Sequence, residues 1–161
     1  MSTTQDELAG VVDLFGALTR PELAAALAEL AFKQGRDVDE SALRATIEQA
    51  IDTYTLVEYE PAGSDSSADP LVAVGPTAFP TLPPNAEDLP HILDYDRRSV
   101  DRERLAEQVS RRLTNEAEAA VEAGDAERAA ELLDVSYDIE AWASADASAV
   151  RSALEPVLPQ D

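Results

Sequence analysis

The 161-residue sequence has no cysteine, one histidine, one lysine, one methionine, one tryptophan and six scattered glycines. Each scarcity removes a class of chemistry. Without cysteine there are no disulfides, thiolate metal sites or cysteine nucleophiles. With His91 as the sole imidazole, the common transition-metal sites lose their usual ligands, and no His-Glu-x-x-His pattern occurs. His91 stands between Pro90 and Ile92 without a nucleophile partner and reads as a connector residue. The glycines form no phosphate-cradling loop, and the Gly-x-Ser-x-Gly and EF-hand patterns are absent. Aromatic residues are too sparse for a nucleic-acid stacking platform. Tyr54, Tyr59, Tyr95, Tyr137, Trp142 and the three phenylalanines are assigned to the core. No stretch approaches the roughly 20 apolar residues that span a bilayer, and Met1 to Asp13 is too acidic and polar for a secretory leader. The expectation is a non-enzymatic cytoplasmic protein with no cofactor, no metal and no membrane contact.

What is plentiful is acid: 33 acidic side chains stand against 12 basic ones, for a formal charge of −21. Alanine supplies 29 residues, whereas Leu, Ile, Val and Phe together number 37. That is just above the roughly 20% level below which a highly charged chain stays disordered, so a folded but lean protein is expected. Acids run from Asp6 to Asp161 with no run longer than two, which excludes a local acidic tail. Such a surface repels itself in dilute buffer, but at about 1 M salt the Debye length shrinks to about 3 Å and the repulsion fades. This acidic, alanine-rich, nearly lysine-free composition resembles that of halophilic archaeal cytosolic proteins. Charge imposed by a solvent says little about a partner.

Local patterns place the elements. Thr4 with Glu7 forms a capping box before Leu8, Val11, Val12, Phe15 and Leu18, which recur at helical spacing, and this helix is expected to end near Ala17. Thr19 and Glu22 repeat the box, Pro21 is tolerated in the first turn, and Leu23, Leu27, Leu30 and Ala31 line one face before Gly35. Asp39 caps a third helix, stapled by Val38 and Leu43, with Ile47, Ala50, Ile51 and Tyr54 on its buried stripe. Thr55–Glu60 and Leu71–Val74 read as a β-hairpin whose tip is Gly63 to Asp69. Five prolines from Pro76 to Pro90 exclude a regular helix or central strand and mark an ordered connector, with Phe79, Leu82, Leu89, Ile92 and Leu93 as its apolar anchors. A long helix from near Val100 carries Leu105, Val109, Leu113, Ala117 and Val121 and stops at Gly124. Asp125 caps the next, and short helices follow around Tyr137 to Trp142 and Asp146 to Leu154. Ala123 to Leu133 is similar to a tetratricopeptide-repeat corner, but no second copy follows and a plain helical hairpin explains it.

Three helices followed by a hairpin resemble the winged helix-turn-helix family over Asp6 to Thr77. Leu18-Thr19-Arg20-Pro21-Glu22-Leu23 looks like the entry to that family's second helix, and Ile51 through Tyr54 into Val57-Glu58-Tyr59 looks like its third helix passing into the wing. The turn around Phe32 to Val38 is longer than the family's. The whole chain also resembles an uncharacterised haloarchaeal family. The winged-helix resemblance implies a third helix that reads the DNA major groove. Here that helix offers Glu40, Arg44, Glu48 and Asp52 at its surface with Ser41 and Gln49 beside them, and the wing tip carries Asp65 and Asp69 but no cation. One arginine among three carboxylates is a poor reading head. Salt tempers the point, because counterion release contributes little in concentrated electrolyte and a salt-adapted DNA binder need not be basic overall.

Positive charge collects in one place. Arg97, Arg98, Arg102, Arg104, Arg111 and Arg112 stand against Asp101, Glu103 and Glu107 in the same stretch. A phosphate, nucleic-acid or acidic-protein contact would use the fork geometry of arginine. Internal pairing with Glu103, Glu107, Glu116 and Asp94 to Asp96 is the alternative use. The chain is thus expected to be α+β and mainly α: a winged-helix-like three-helix domain with a hairpin at 1–77, a Pro-rich connector at 78–98, and a small helical region at 99–161. Its expected function is protein interaction or dimerisation. The alternative is a winged-helix-type transcription regulator that contacts DNA through Arg44, Gln49 or the arginine island.

Overall fold

The computed structural model describes residues 5–35, 37, 39–63, 70–83, 86–95, 97–143 and 145–158. The chain divides into two units, Met1–Val100 and Asp101–Asp161. Both are mainly helical, and the first also holds a small antiparallel sheet.

In the first unit α1 (Gln5–Phe15) is followed by β1 (Leu18–Thr19), α2 (Arg20–Lys33), α3 (Glu40–Asp52), β2 (Leu56–Tyr59), β3 (Leu71–Val74) and α4 (Leu89–Leu93). The expected hairpin forms, with Leu56 opposite Val74 and Tyr59 opposite Leu71. A third strand joins it: Leu18 and Thr19 pair with Val72 and Leu71, giving the order β1-β3-β2. Leu18, expected on the stripe of the first helix, therefore lies in β1 beyond the end of α1 at Phe15, and with only two residues β1 carries no readable period and is defined by its partner strand. The Thr19–Glu22 capping box is present in full, and Asp39 caps α3 by accepting from the Ser41 N–H. Thr4, Val38 and the tip residues 64–69 lie outside the described residues.

The buried stripes of the three helices meet in one core with Leu18, Leu56 and Val72. Tyr54 ends α3 with a left-handed φ of 66° while its side chain is fully buried. That conformation costs about 1–2 kcal/mol in a residue with a Cβ, and burial of the ring offsets it. The prolines do not keep 76–95 away from the core, since Ala86 and Leu89 belong to it. A short helix nevertheless forms at their end, where none was expected up to Pro90. Pro90 lies in its first turn, where a missing N–H leaves no hydrogen bond unmade.

Several aromatic and apolar residues read as core or anchors are at the surface. Phe32 and Phe79 are each 77% exposed, Tyr137 57%, Leu82 43% and Ile92 42%. Composition marks a side chain as apolar but not which way its element turns it.

In the second unit α5 (Arg102–Ala123), α6 (Ala126–Trp142), α7 (Ser148–Leu154) and a 3-10 turn (Glu155–Val157) pack through Leu105, Val109, Leu113, Leu132, Ile139 and Leu154. Asp101 caps α5, and Gly124 ends it in the left-handed conformation. The expected stripe drifts: Ala120, not Val121, is buried. Steps of four residues overshoot a 3.6-residue turn by about 40° each, so the seam must step back by one. The helix expected around Tyr137 to Trp142 is the continuation of α6.

Candidate functional site

Two surfaces hold the sequence-selected residues. The first lies on α3. Arg44 is exposed, and its Nη2 donates to Glu40 Oε1 at 2.9 Å, one turn back on the same helix. Glu48 is taken by Arg20 at the start of α2, with Arg20 Nε 2.5 Å from its Oε1. Arg20 also reaches Glu58 on β2 at 3.6 Å. Arg20, Arg44, Ile47 and Glu48 line a cleft of about 390 Å³ with Pro21 and Pro70. Gln49 is exposed on the same helix. Sequence reading missed Arg20 and Glu58, because 28 residues separate Arg20 from Glu48 and no local spacing signals the pair.

The arginine island divides between the units. Arg97 and Arg98 belong to the first, where they hold the chain after α4 against the α1–α2 corner. Arg97 Nη1 donates to the Asp13 and Leu14 carbonyls, both at 3.0 Å, which caps the end of α1. Arg98 forms a two-pronged pair with Glu22, at 2.6 and 3.1 Å, and donates to the Ala17 carbonyl at 3.0 Å. Its own N–H donates to the Phe15 carbonyl at 2.8 Å. A Cβ on Gly16 would lie 2.0 Å from the Arg98 carbonyl oxygen, so the close approach requires glycine.

The Arg98 guanidinium, partly opposed by burial, lowers the Glu22 carboxyl below its ordinary range. A lowered folded-state pKa stabilises above the unfolded value and is lost as pH falls through the folded one. Glu22→Gln keeps the capping residue type but removes the charge pair. It is expected to cost about 1 kcal/mol at neutral pH, since both side chains are partly solvated. Denaturant unfolding of both proteins should show this difference closing as acid protonates Glu22; a pH-independent difference would contradict the charge pair.

In the second unit Arg112 Nε pairs with Glu116 at 2.7 Å, and Arg128 Nη2 reaches the same carboxylate at 2.8 Å, tying α5 to α6. Arg151 and Glu140 tie α6 to α7 at 3.1 Å, with the Arg151 guanidinium 4.5 Å from the centre of the Tyr137 ring. Arg104 is half-buried. Arg102 and Arg111 differ from these. Both are exposed, and among the described residues neither lies within ion-pair distance of a carboxylate. Arg111 does not pair with Glu107 despite its i,i+4 spacing. Arg102 lies over the Trp142 ring at 5.3 Å. Together with Ala106, Ser110 and Asp146, these three line a groove of about 770 Å³. Trp142, expected in the core, is half-buried, and this only tryptophan of the chain is part of the groove.

Among the described residues no cluster of three or more His, Asp or Glu could hold a metal ion, and no helix is long and apolar enough to cross a membrane. No curated protein matches this chain significantly, and no solved structure does. Residues 6–159 match a protein family described as a family of unknown function (DUF7109), and the chain belongs to that family.

Proposed function

We propose that this protein is a non-enzymatic interaction module of a salt-rich cytoplasm, with a winged-helix-like first unit used for protein contact or self-association rather than for reading DNA. The element order helix, strand, helix, helix, strand, strand, with the first strand paired to the last, supports the winged-helix reading. One observation carries the choice of function. The described arginines on the α3 side, Arg44 and Arg20, are bound to Glu40 and to Glu48 and Glu58. A guanidinium held by carboxylates must surrender them before it can meet a phosphate or guanine. Arg102 and Arg111, by contrast, are exposed and have no carboxylate within ion-pair distance among the described residues.

Fluorescence anisotropy with labelled genomic DNA fragments in multimolar KCl is expected to show no saturable binding. Saturable binding that Arg44→Ala abolishes would establish the regulator reading instead. Protein capture from a high-salt lysate, run in parallel with the wild-type chain and Arg111→Glu, is expected to lose a specific band with the variant. Identical captures would count against the interaction reading. The salt-rich setting is supported by the composition, with 33 acids against one lysine.

A further inference from the structure

We propose, resting on the interaction reading of the first unit, that Phe79-Pro80-Thr81-Leu82 is a preformed ridge that docks into an uncharged, aromatic-lined groove of a partner protein. Pro70 to Ala86 is the longest run without a charged side chain, 17 residues in a chain of which 28% is charged. Burial accounts for its first part, because Leu71–Val74 is β3, the middle strand of the sheet. It does not account for Phe79 to Leu82, where all four residues are exposed, Phe79 by 77% and Leu82 by 43%. Elsewhere the surface of this chain is rich in acid; here it offers only apolar and neutral side chains. Two large apolar groups on one short, charge-free segment mark a contact surface rather than scattered exposure.

The local chemistry sets the shape of the ridge. Pro80 and Pro83 fix their own φ near about −65°, and each biases the residue before it, Phe79 and Leu82, towards extended backbone. A polyproline-type chain turns once in three residues and rises about 3.1 Å per residue, so Phe79 and Leu82 share one edge about 9 Å apart. The exposure of both side chains agrees with that edge facing outward. The backbone is held from beneath. The Phe79 N–H donates to Asp6 Oδ1 at 3.3 Å, the Thr81 N–H donates to the Asp6 carbonyl at 3.0 Å, and the Thr81 hydroxyl donates to the Phe79 carbonyl at 3.2 Å. Upstream, Thr77 donates to the Tyr54 and Thr53 carbonyls; downstream, Pro83 is buried and Ala86 enters the core. With both ends fixed, the segment loses little conformational entropy on docking. Aromatic-lined grooves take extended proline-containing segments of this kind, because flat rings pack on pyrrolidine and alkyl faces without needing charge. The partner's groove therefore holds two apolar pockets about 9 Å apart, one of them wide enough for a phenyl ring. A nucleic acid finds no cation on the ridge, and concentrated salt screens charge pairs while leaving apolar burial intact.

The full chain carrying Phe79→p-benzoylphenylalanine, which keeps an aromatic ring at the ridge, is irradiated in lysate at about 1 M and about 3 M KCl. The cross-linked residue of each product is located by mass spectrometry. Two end-blocked competitors are added in parallel, Ala-Phe-Pro-Thr-Leu-Pro and the same peptide with its leucine replaced by serine. One dominant product with another protein is expected, cross-linked within a segment that lines a groove with aromatic residues, in equal yield at both salt concentrations. The leucine peptide should halve that product at about tenfold lower concentration than the serine peptide, the scale of one buried leucine side chain. Leu82→Ser in the chain should lower the yield about tenfold without altering the circular-dichroism spectrum. The peptide comparison leaves the chain's Leu82 in place, so it decides even where Leu82→Ser unfolds. Equal competition by both peptides, an unchanged yield in a folded Leu82→Ser variant, or a yield that falls about tenfold at the higher salt would overturn the proposal. Labelling spread evenly over many proteins, a cross-link to nucleic acid, or no product at all would overturn it as well. A cross-link within the chain or between two copies would assign the ridge to this protein's own surface and also overturn it. Failure of the ridge with a band still lost from the Arg111→Glu capture would leave the interaction reading standing, so the two failures are distinguishable.

Discussion

Replacing Gly10 with alanine is expected to destabilise the first unit by about 2–4 kcal/mol, although helix propensity alone favours the substitution by about 1 kcal/mol. Gly10 lies inside α1 and is buried. The reversal comes from the chain after β3, which crosses α1 at that point. The Thr81 N–H donates to the Asp6 carbonyl at 3.0 Å, and the Phe79 N–H donates to Asp6 Oδ1 at 3.3 Å. A Cβ on Gly10 would lie 2.1 Å from the Thr81 carbonyl oxygen. Backbone, not a flexible side-chain tip, would have to move, and both contacts with Asp6 would be strained together. Urea unfolding followed by far-ultraviolet circular dichroism measures the change. A variant as stable as the parent would show that the proline-rich segment is not held on α1.

The second large effect is expected from solvent. On dialysis into dilute buffer the protein should lose most of its helical signal, and its Tm should rise by about 10–20 °C between about 0.1 M and about 2 M KCl, corresponding to a few kcal/mol. The ion pairs occupy only part of the acid: Arg20, Arg98, Arg112, Arg128 and Arg151 hold carboxylates, whereas residues such as Glu118, Glu122, Asp134 and Asp138 stand at the surface. Asp138 shows the consequence locally. Although Asp138 is largely exposed, partial desolvation of its carboxyl, reinforced by the neighbouring Asp134 charge, raises it above the ordinary value. Such pairs oppose folding when ionised, and salt screens the longer-range part of that repulsion. A small core leaves little reserve, because 37 Leu, Ile, Val and Phe residues serve 161 positions. A Tm independent of KCl would remove the salt-adapted reading and return the charge of −21 to the list of functional clues.

Much of the helical architecture was legible locally. Thr19 and Glu22, Asp39, Asp125 and Gly124 act through neighbours two to four residues away, so their caps could be read without a fold. Ile47 and Ile51, or Leu105 and Val109, declare a buried face by their spacing alone. The hairpin was readable because β2 and β3 are apolar runs bounded by turn residues. β1 was not, since two residues have no period and the strand exists only because β3 accepts it.

The sites divide in the same way. Sequence located the arginines and acids, and it set the strongly negative surface on which any cation is scarce. It could not say that Arg97 caps α1, that Arg98 grips Glu22, that Arg20 neutralises Glu48, or that Arg102 settles on Trp142. Those outcomes depend on contacts across 28 to 84 residues, where the geometry of packed elements replaces local spacing. Caps, periods and charge density are properties of neighbouring residues, and the sequence determined them by itself. Whether an arginine staples the fold or faces a partner is a property of distance between elements, and tertiary structure alone decided it.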